Sequence, residues 1–326
     1  MNWLARASRS LAALCLSVTA LGAQGAYSSL TFFGDSLSDT GNLYQLSGQT
    51  FPPSPPYYDG RRSDGPLWVE HLAAGLGLPG ASAPLAAGGS NFSIIGALSG
   101  QDGYGGLTDV GLLSQVFAYW PALTGGVVDP GGLYVIGIGA NDLFVAVESD
   151  SGMDAAAIAQ REGAVDEALD NLGRVLTHLA GKGARQFLVV NVPDLSLVPE
   201  ALALGTSAAY DQTTRYFNTQ LGSRLDTFRR AFAVGVAELD FYGIARAVTA
   251  DASAGGQQYG LSNAVEPCLA PGAPECSVSM YVDGVHPTAA MHAIVGRVAM
   301  AQVSEPASVA LLLIGFFALS FRRRHA

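Results

Sequence analysis

Charge is scarce in this chain of 326 residues: 13% of positions are charged, and the 27 acids outnumber the 17 lysines and arginines for a net charge of −10. A nucleic-acid partner needs a clustered basic surface to displace counterions from phosphates, so that class of function is excluded. Internal repeats, long linkers and charge blocks are also missing, which leaves one domain with one sizeable core once the two ends are set aside. Disorder is excluded by the 49% hydrophobic content, since disordered chains carry the opposite balance. The apolar run near the N-terminus, Leu11 to Ala23, falls short of the roughly 20 residues of a spanning helix. Preceded by Arg6 and Arg9 and followed by small residues, it reads instead as a secretory signal peptide over residues 1–25, cut near Gly25.

Cysteine is scarcer still. Cys15 belongs to the signal segment, which leaves Cys268 and Cys276 in a Gly/Pro-rich loop. Two cysteines with no neighbouring pair complete no recognisable zinc site. In an exported chain they are expected to join as a local disulfide, with metal binding as the alternative.

What the sequence does contain is a set of short apolar runs: Leu30 to Phe33, Asn91 to Ile95, Leu133 to Ile138, Phe187 to Val190 and Phe232 to Leu239. Their uninterrupted character suits strands buried on both faces. Between them lie helical patterns, Leu67 to Leu76, Gly163 to Leu179 and Ala208 to Arg230, with apolar residues at three- and four-residue spacing. Alternating strand and helix predicts parallel strands joined by crossover helices, a three-layer α/β/α sandwich with its sites at the carboxyl ends of strands.

Four segments carry candidate chemistry, and those of Ser36, Gly96 and Asn141 stand at such ends. Gly34-Asp35-Ser36-Leu37 follows the first run and places Ser36 at a turn expected to open a helix, where its backbone N–H would point outward. A helix-capping serine would look the same. Asp283-Gly284-Val285-His286 precedes a helical run from Ala289, so one loop supplies both an imidazole to accept a hydroxyl proton and a carboxylate to orient it. His71, His178 and His292 fall in helical patterns and His325 in the tail, which leaves His286 as the histidine in a loop. The competing account is a helix-start histidine and a turn-forming aspartate. Gly139-Ala140-Asn141-Asp142 follows the third run, and an asparagine amide there has the donors an oxyanion hole uses. Gly96, at the end of the second run, permits close approach of a substrate.

In their order and spacing these blocks resemble the GDSL (SGNH) hydrolases from Thr31 to about Arg297, including Pro52-Pro53-Ser54-Pro55-Pro56-Tyr57-Tyr58-Asp59-Gly60-Arg61 and Asn191-Val192-Pro193-Asp194 of the lipase-like branch. The resemblance implies the flavodoxin-like sheet of the SGNH hydrolase fold over residues 26–303. It also implies an exported serine esterase or lipase with Ser36 as nucleophile, His286 as base and Asp283 as its partner. Ser36, Gly96 and Asn141 would form the oxyanion hole, with no metal and no cofactor. Ile95 and Val282 depart from the family pattern, which often has glycine and an aromatic there. The expected substrate is a small-molecule or lipid ester; the alternatives are an O-acetyl esterase or acyltransferase on acylated exopolysaccharide, or a noncatalytic surface protein that keeps the fold.

Residues 304–326 resemble a PEP-CTERM sorting signal: Glu305-Pro306, the apolar run 307–321, then Arg322, Arg323 and Arg324, with Ser304 where the pattern has proline. That implies an exosortase-type processing enzyme as partner and a bacterial periplasm, cell surface or extracellular matrix as destination. A plain tail anchor, with membrane contact through 307–321, is the alternative. Without both ends the net charge is −14.

Overall fold

The computed structural model describes residues 27–304; the signal-peptide expectation and the sorting tail after Ser304 lie outside the described residues. Four parallel strands form the sheet in the order β1 (Leu30–Gly34), β2 (Leu133–Gly137), β3 (Gln186–Val190) and β4 (Gly235–Leu239). The register runs Phe32 beside Val135, Val135 beside Leu188 and Leu188 beside Ala237. β1 is buried along its whole length and β2 nearly so, as expected of apolar runs covered on both faces, whereas β4 is a half-exposed edge.

The long helices are α1 (Trp68–Gly75), α2 (Ala140–Ser149), α3 (Ala155–Gly181), α4 (Ser207–Phe232), α5 (Phe241–Ser253) and α6 (Ala289–Ser304). α1 packs on α6, and α3 packs on α4 and α2. From β1 the chain steps outward to the segment at Asn91, then back to β2, β3 and β4. Because right-handed crossovers in opposite directions fall on opposite faces, α1 and α6 cover one face and α3 and α4 the other, giving three layers.

Two expectations are corrected. The run Asn91 to Ile95 is not a ladder strand but touches β1 through a parallel bridge from Asn91 to Phe32, with the Phe92 and Ile94 N–H groups donating to Phe32 and Gly34 carbonyls. Side chains take over its outer bonding: Asn91 Nδ2 donates to the Ser38 carbonyl, and the Ile95 N–H goes to Asp39 Oδ2 at 2.8 Å. The fourth strand begins at Gly235 because Phe232 completes α4 and Ala233 caps that helix in the left-handed region at φ 51°. Among the described residues no helix is long and apolar enough to cross a membrane.

Candidate active site

Gly34 ends β1 where it lies so close to β2 that a Cβ would sit 2.5 Å from the Gly137 carbonyl oxygen. The chain then turns sharply: the Ser38 and Asp39 N–H groups donate to the Asp35 carbonyl, and the Leu37 N–H to Asp35 Oδ1 at 3.0 Å. Ser36 therefore opens a single turn and not the expected helix, which begins only at Asn42. The physical reason is Asp39. Its buried carboxylate accepts from the N–H groups of Gly41, Asn42 and Leu43, so the next helix starts after Asp39, and the fourth donor, Ile95 N–H, ties this turn to Gly96.

Gly96 adopts φ 82°, a conformation open chiefly to glycine. Among the described residues neither its N–H nor that of Ser36 has a hydrogen-bond acceptor. Asn141 stands in the first turn of α2, behind Gly139 at φ 120°, where a Cβ would meet the Phe217 ring at 2.6 Å. The Asn141 amide donates to the Ala97 carbonyl at 3.0 Å, which uses one of its two protons. Ser36, Gly96, Asn141 and His286 all line one cavity of about 210 Å³.

The loop before α6 is folded tightly by a bridge from Tyr281 to Pro287 and by the Val282 N–H donating to the His286 carbonyl. Inside it, Asp283 Oδ1 accepts from the N–H groups of Val285 at 3.0 Å and His286 at 2.8 Å. His286 Nδ1 lies 2.9 Å from both oxygens of Asp283, and Nε2 lies 3.0 Å from Ser36 Oγ. A carboxylate accepts only, so Nδ1 carries the proton and the Nε2 lone pair faces the hydroxyl. Burial alone would raise the Asp283 pKa, but the His286 ring, the Tyr57 hydroxyl and the Val285 N–H together hold it far below the usual carboxylate range.

Sequence reasoning did not single out Tyr57 and Arg62. The Tyr57 hydroxyl donates to Asp283 Oδ2 at 2.6 Å and accepts from Arg62 Nη1 at 3.0 Å. Burial and the bond to Asp283 push the tyrosine up to about 12. The run of prolines before Tyr57 was a visible signal for an ordered loop, but nothing local names a carboxylate 226 positions away. Cys268 and Cys276 are joined as a disulfide, and their loop props the site: Cys268 N–H donates to the Tyr281 carbonyl and Leu269 N–H to that of Val282. Burial also raises Asp35 to about 7 and Asp142 to about 6. Among the described residues no group of three His, Cys, Asp or Glu side chains is placed to hold a metal ion.

Serine, imidazole and carboxylate in one hydrogen-bonded line, above the carboxyl ends of a parallel sheet, define the class of triad-bearing α/β proteins. The chain belongs to the GDSL-like lipase/acylhydrolase family, whose sequence model matches residues 30–298. It is 29% identical over 230 residues to the phosphatidylcholine-sterol acyltransferase of Aeromonas hydrophila, a match covering 70% of this chain and 62% of that protein. It is 27% identical over 275 residues to a GDSL esterase/lipase of Arabidopsis thaliana, covering 70% of each. Among solved structures, the extracellular lipase of Streptomyces rimosus aligns over 85% of this chain and 99% of its own, with a TM-score of 0.42 and 15% identity. A mutant acetyl-xylooligosaccharide esterase of Geobacillus aligns with a TM-score of 0.44 and 14% identity, over 86% of this chain and 98% of its own.

Proposed function

We propose that this chain hydrolyses carboxylic esters through an acyl-Ser36 intermediate. Ser36 Oγ attacks the ester carbonyl while His286 Nε2 takes its proton, and Asp283 holds the imidazole in the tautomer that permits this. The developing oxyanion accepts from the N–H groups of Ser36 and Gly96 and from the remaining Asn141 amide proton. His286 then returns its proton to the departing alcohol. Water, activated in the same way, attacks the acyl carbonyl and restores Ser36. The observation that carries this reading is the Ser36–His286–Asp283 line, with separations of 3.0 and 2.9 Å, opening on a cavity beside unpaired N–H groups.

The cavity wall supports an acyl chain longer than acetyl, because Leu37, Ile95, Phe144, Val198, Phe241 and Met280 line it. The Aeromonas relative is named for transferring its acyl group to a sterol, so an alcohol in place of water is the natural variant of the second step. The export and anchoring readings rest on Arg6, Arg9, the run from Leu11 to Ala23 and the segment 304–326. N-terminal and C-terminal mass analysis of the protein as isolated tests both: an intact Met1 would overturn signal cleavage, and an intact Ala326 would overturn sorting by cleavage and leave the plain tail anchor.

Hydrolysis of p-nitrophenyl esters of graded acyl length tests the reaction. Medium chains should exceed acetyl, and Ser36→Ala should lose roughly 10³-fold or more in turnover while keeping the fold. Undiminished turnover in that variant would refute the assignment. Acetate release from an acetylated polysaccharide that outpaces every longer ester would move the substrate to carbohydrate.

A further inference from the structure

The strap from Phe51 to Ser63 leaves two polar side chains at the site that the proposed acyl transfer does not use. The Tyr57 hydroxyl is held by Asp283 Oδ2 on one side and by Arg62 Nη1 on the other, and Nη1 also stands 3.6 Å from that Oδ2. The Arg62 guanidinium lies against the Phe51 ring at 4.9 Å and the Tyr57 ring at 5.1 Å. Its Nε is buried with no hydrogen-bond partner among the described residues. An orphaned N–H opposes that placement, yet the fold keeps the cation beside Asp283. Arg61, its neighbour, is engaged elsewhere through two bonds of 2.8 Å to Glu70.

We propose that Tyr57 and Arg62 are positioning residues that set how firmly Asp283 holds the protonated ring of His286. This rests on the assignment of His286 as the base of the proposed esterase. Asp283 Oδ1 already accepts two backbone N–H groups, so Oδ2 is the oxygen whose charge is left to tune. Each donor or cation on Oδ2 draws charge from the carboxylate and weakens its hold on the imidazolium, so the ring stays neutral, and able to accept a proton, to lower pH.

The surroundings push the other way. Asp35, Glu148, Asp194 and Glu200 line the same cavity, where Arg62 is the one arginine or lysine among the described residues. Tyr104 and Tyr281 line it as neutral phenols. Asp194 is paired with Arg246 at 2.7 Å. Behind the site His292 of α6 is fully buried, and that burial lowers its pKa to about 3, so it adds no positive charge beside His286. The two glutamates favour a protonated His286, since burial keeps Asp35 neutral up to about 7 and Arg246 offsets Asp194, and the Tyr57–Arg62 pair opposes them.

The test is kcat/KM against pH on a chromogenic ester for wild type, Tyr57→Phe, Arg62→Met and Arg62→Lys. Tyr57→Phe keeps the ring that packs on Arg62, and Arg62→Lys keeps the charge. The acid limb should move to higher pH by roughly half a unit or more in Tyr57→Phe and Arg62→Met, and less in Arg62→Lys. NMR titration of the His286 ring in a Ser36→Ala background reads the same shift without turnover. Limbs and ring titrations that stay at the wild-type pH, with activity lowered evenly at all pH values, would overturn the proposal while leaving the esterase standing. Wild type without turnover on any ester, or turnover retained by Ser36→Ala, would instead overturn the esterase reading and this inference with it.

Discussion

At Asp35, one residue before the serine, burial works against ionisation. The carboxyl is 3% exposed and raised from 3.8 to about 7, mainly by desolvation and further by the charge of Asp142. The folded protein then holds a proton that the unfolded chain has released between about pH 4 and pH 7. The Asp35 contribution to stability is accordingly full below about pH 4, falls as pH rises through that window, and levels off above it. Asp142 contributes in the same sense up to about 6. Asp283, held low, acts oppositely but only under acid conditions below the window. Asp35→Asn keeps the acceptor for Leu37 N–H and cannot ionise. Relative to wild type it should gain on the order of 2 kcal/mol in urea unfolding at pH 8 over its value at pH 4.5. Parallel pH curves for the two proteins would show that Asp35 ionises freely. At this scale the sequence was informative where chemistry repeats locally: Ser36, and Asp283 with His286 three residues on, were visible because one loop supplies each. Tyr57 and Arg62 were not, because their partner is chosen by folding and not by spacing.

The second apolar run shows how element and site diverge. Asn91 to Ile95 reads as a strand by composition, and its inner edge does bond to β1, but Asp39 and Asn91 supply polar partners that a ladder would have occupied. Apolar periodicity reports burial and says nothing of which group satisfies each N–H, so the segment was legible as buried but not as irregular. The same holds for the turn at Ser36, where propensity gives no hint that Asp39 would gather four backbone donors. That carboxylate is the joint between the Ser36 turn and the Gly96 loop. Asp39→Asn would turn an amide NH₂ toward N–H groups that need an acceptor, at a cost of about 2 to 4 kcal/mol. Because two proposed oxyanion donors hang on this joint, kcat should fall with stability, and more than KM rises. A variant with wild-type unfolding and wild-type kcat would show that the Ser36 and Gly96 segments hold their places independently.

Over the whole molecule the parallel sheet, its flanking helices and the family were all readable from the order of the blocks, since β1, β2 and the loop before α6 each end in a recognisable segment. The cavity was not, because segments from Asp35 to Pro287 assemble it and its walls depend on crossover geometry. One property joins sequence to cavity, namely acidity. Residues 26–303 carry a net charge of −14, and Glu148 and Glu200, both exposed, stand at the cavity without an ion pair among the described residues. Tyr104 bridges to Glu148 with bonds of 2.8 and 3.0 Å but adds no positive charge. A field of one sign focused on a cleft raises the encounter rate of opposite charges, and salt removes that advantage as the Debye length shrinks from about 30 Å at 0.01 M to about 8 Å at 0.15 M. For esters matched in acyl chain, kcat/KM on a cationic alcohol should therefore fall several-fold across that range, an anionic one should gain, and a neutral one should stay level. At a pH above the acid limb, Glu148→Gln with Glu200→Gln should flatten the cationic trend without altering the neutral rate. If all three esters respond alike, salt acts on the fold or the chemistry instead, and the acidic mouth takes no part in selecting the substrate.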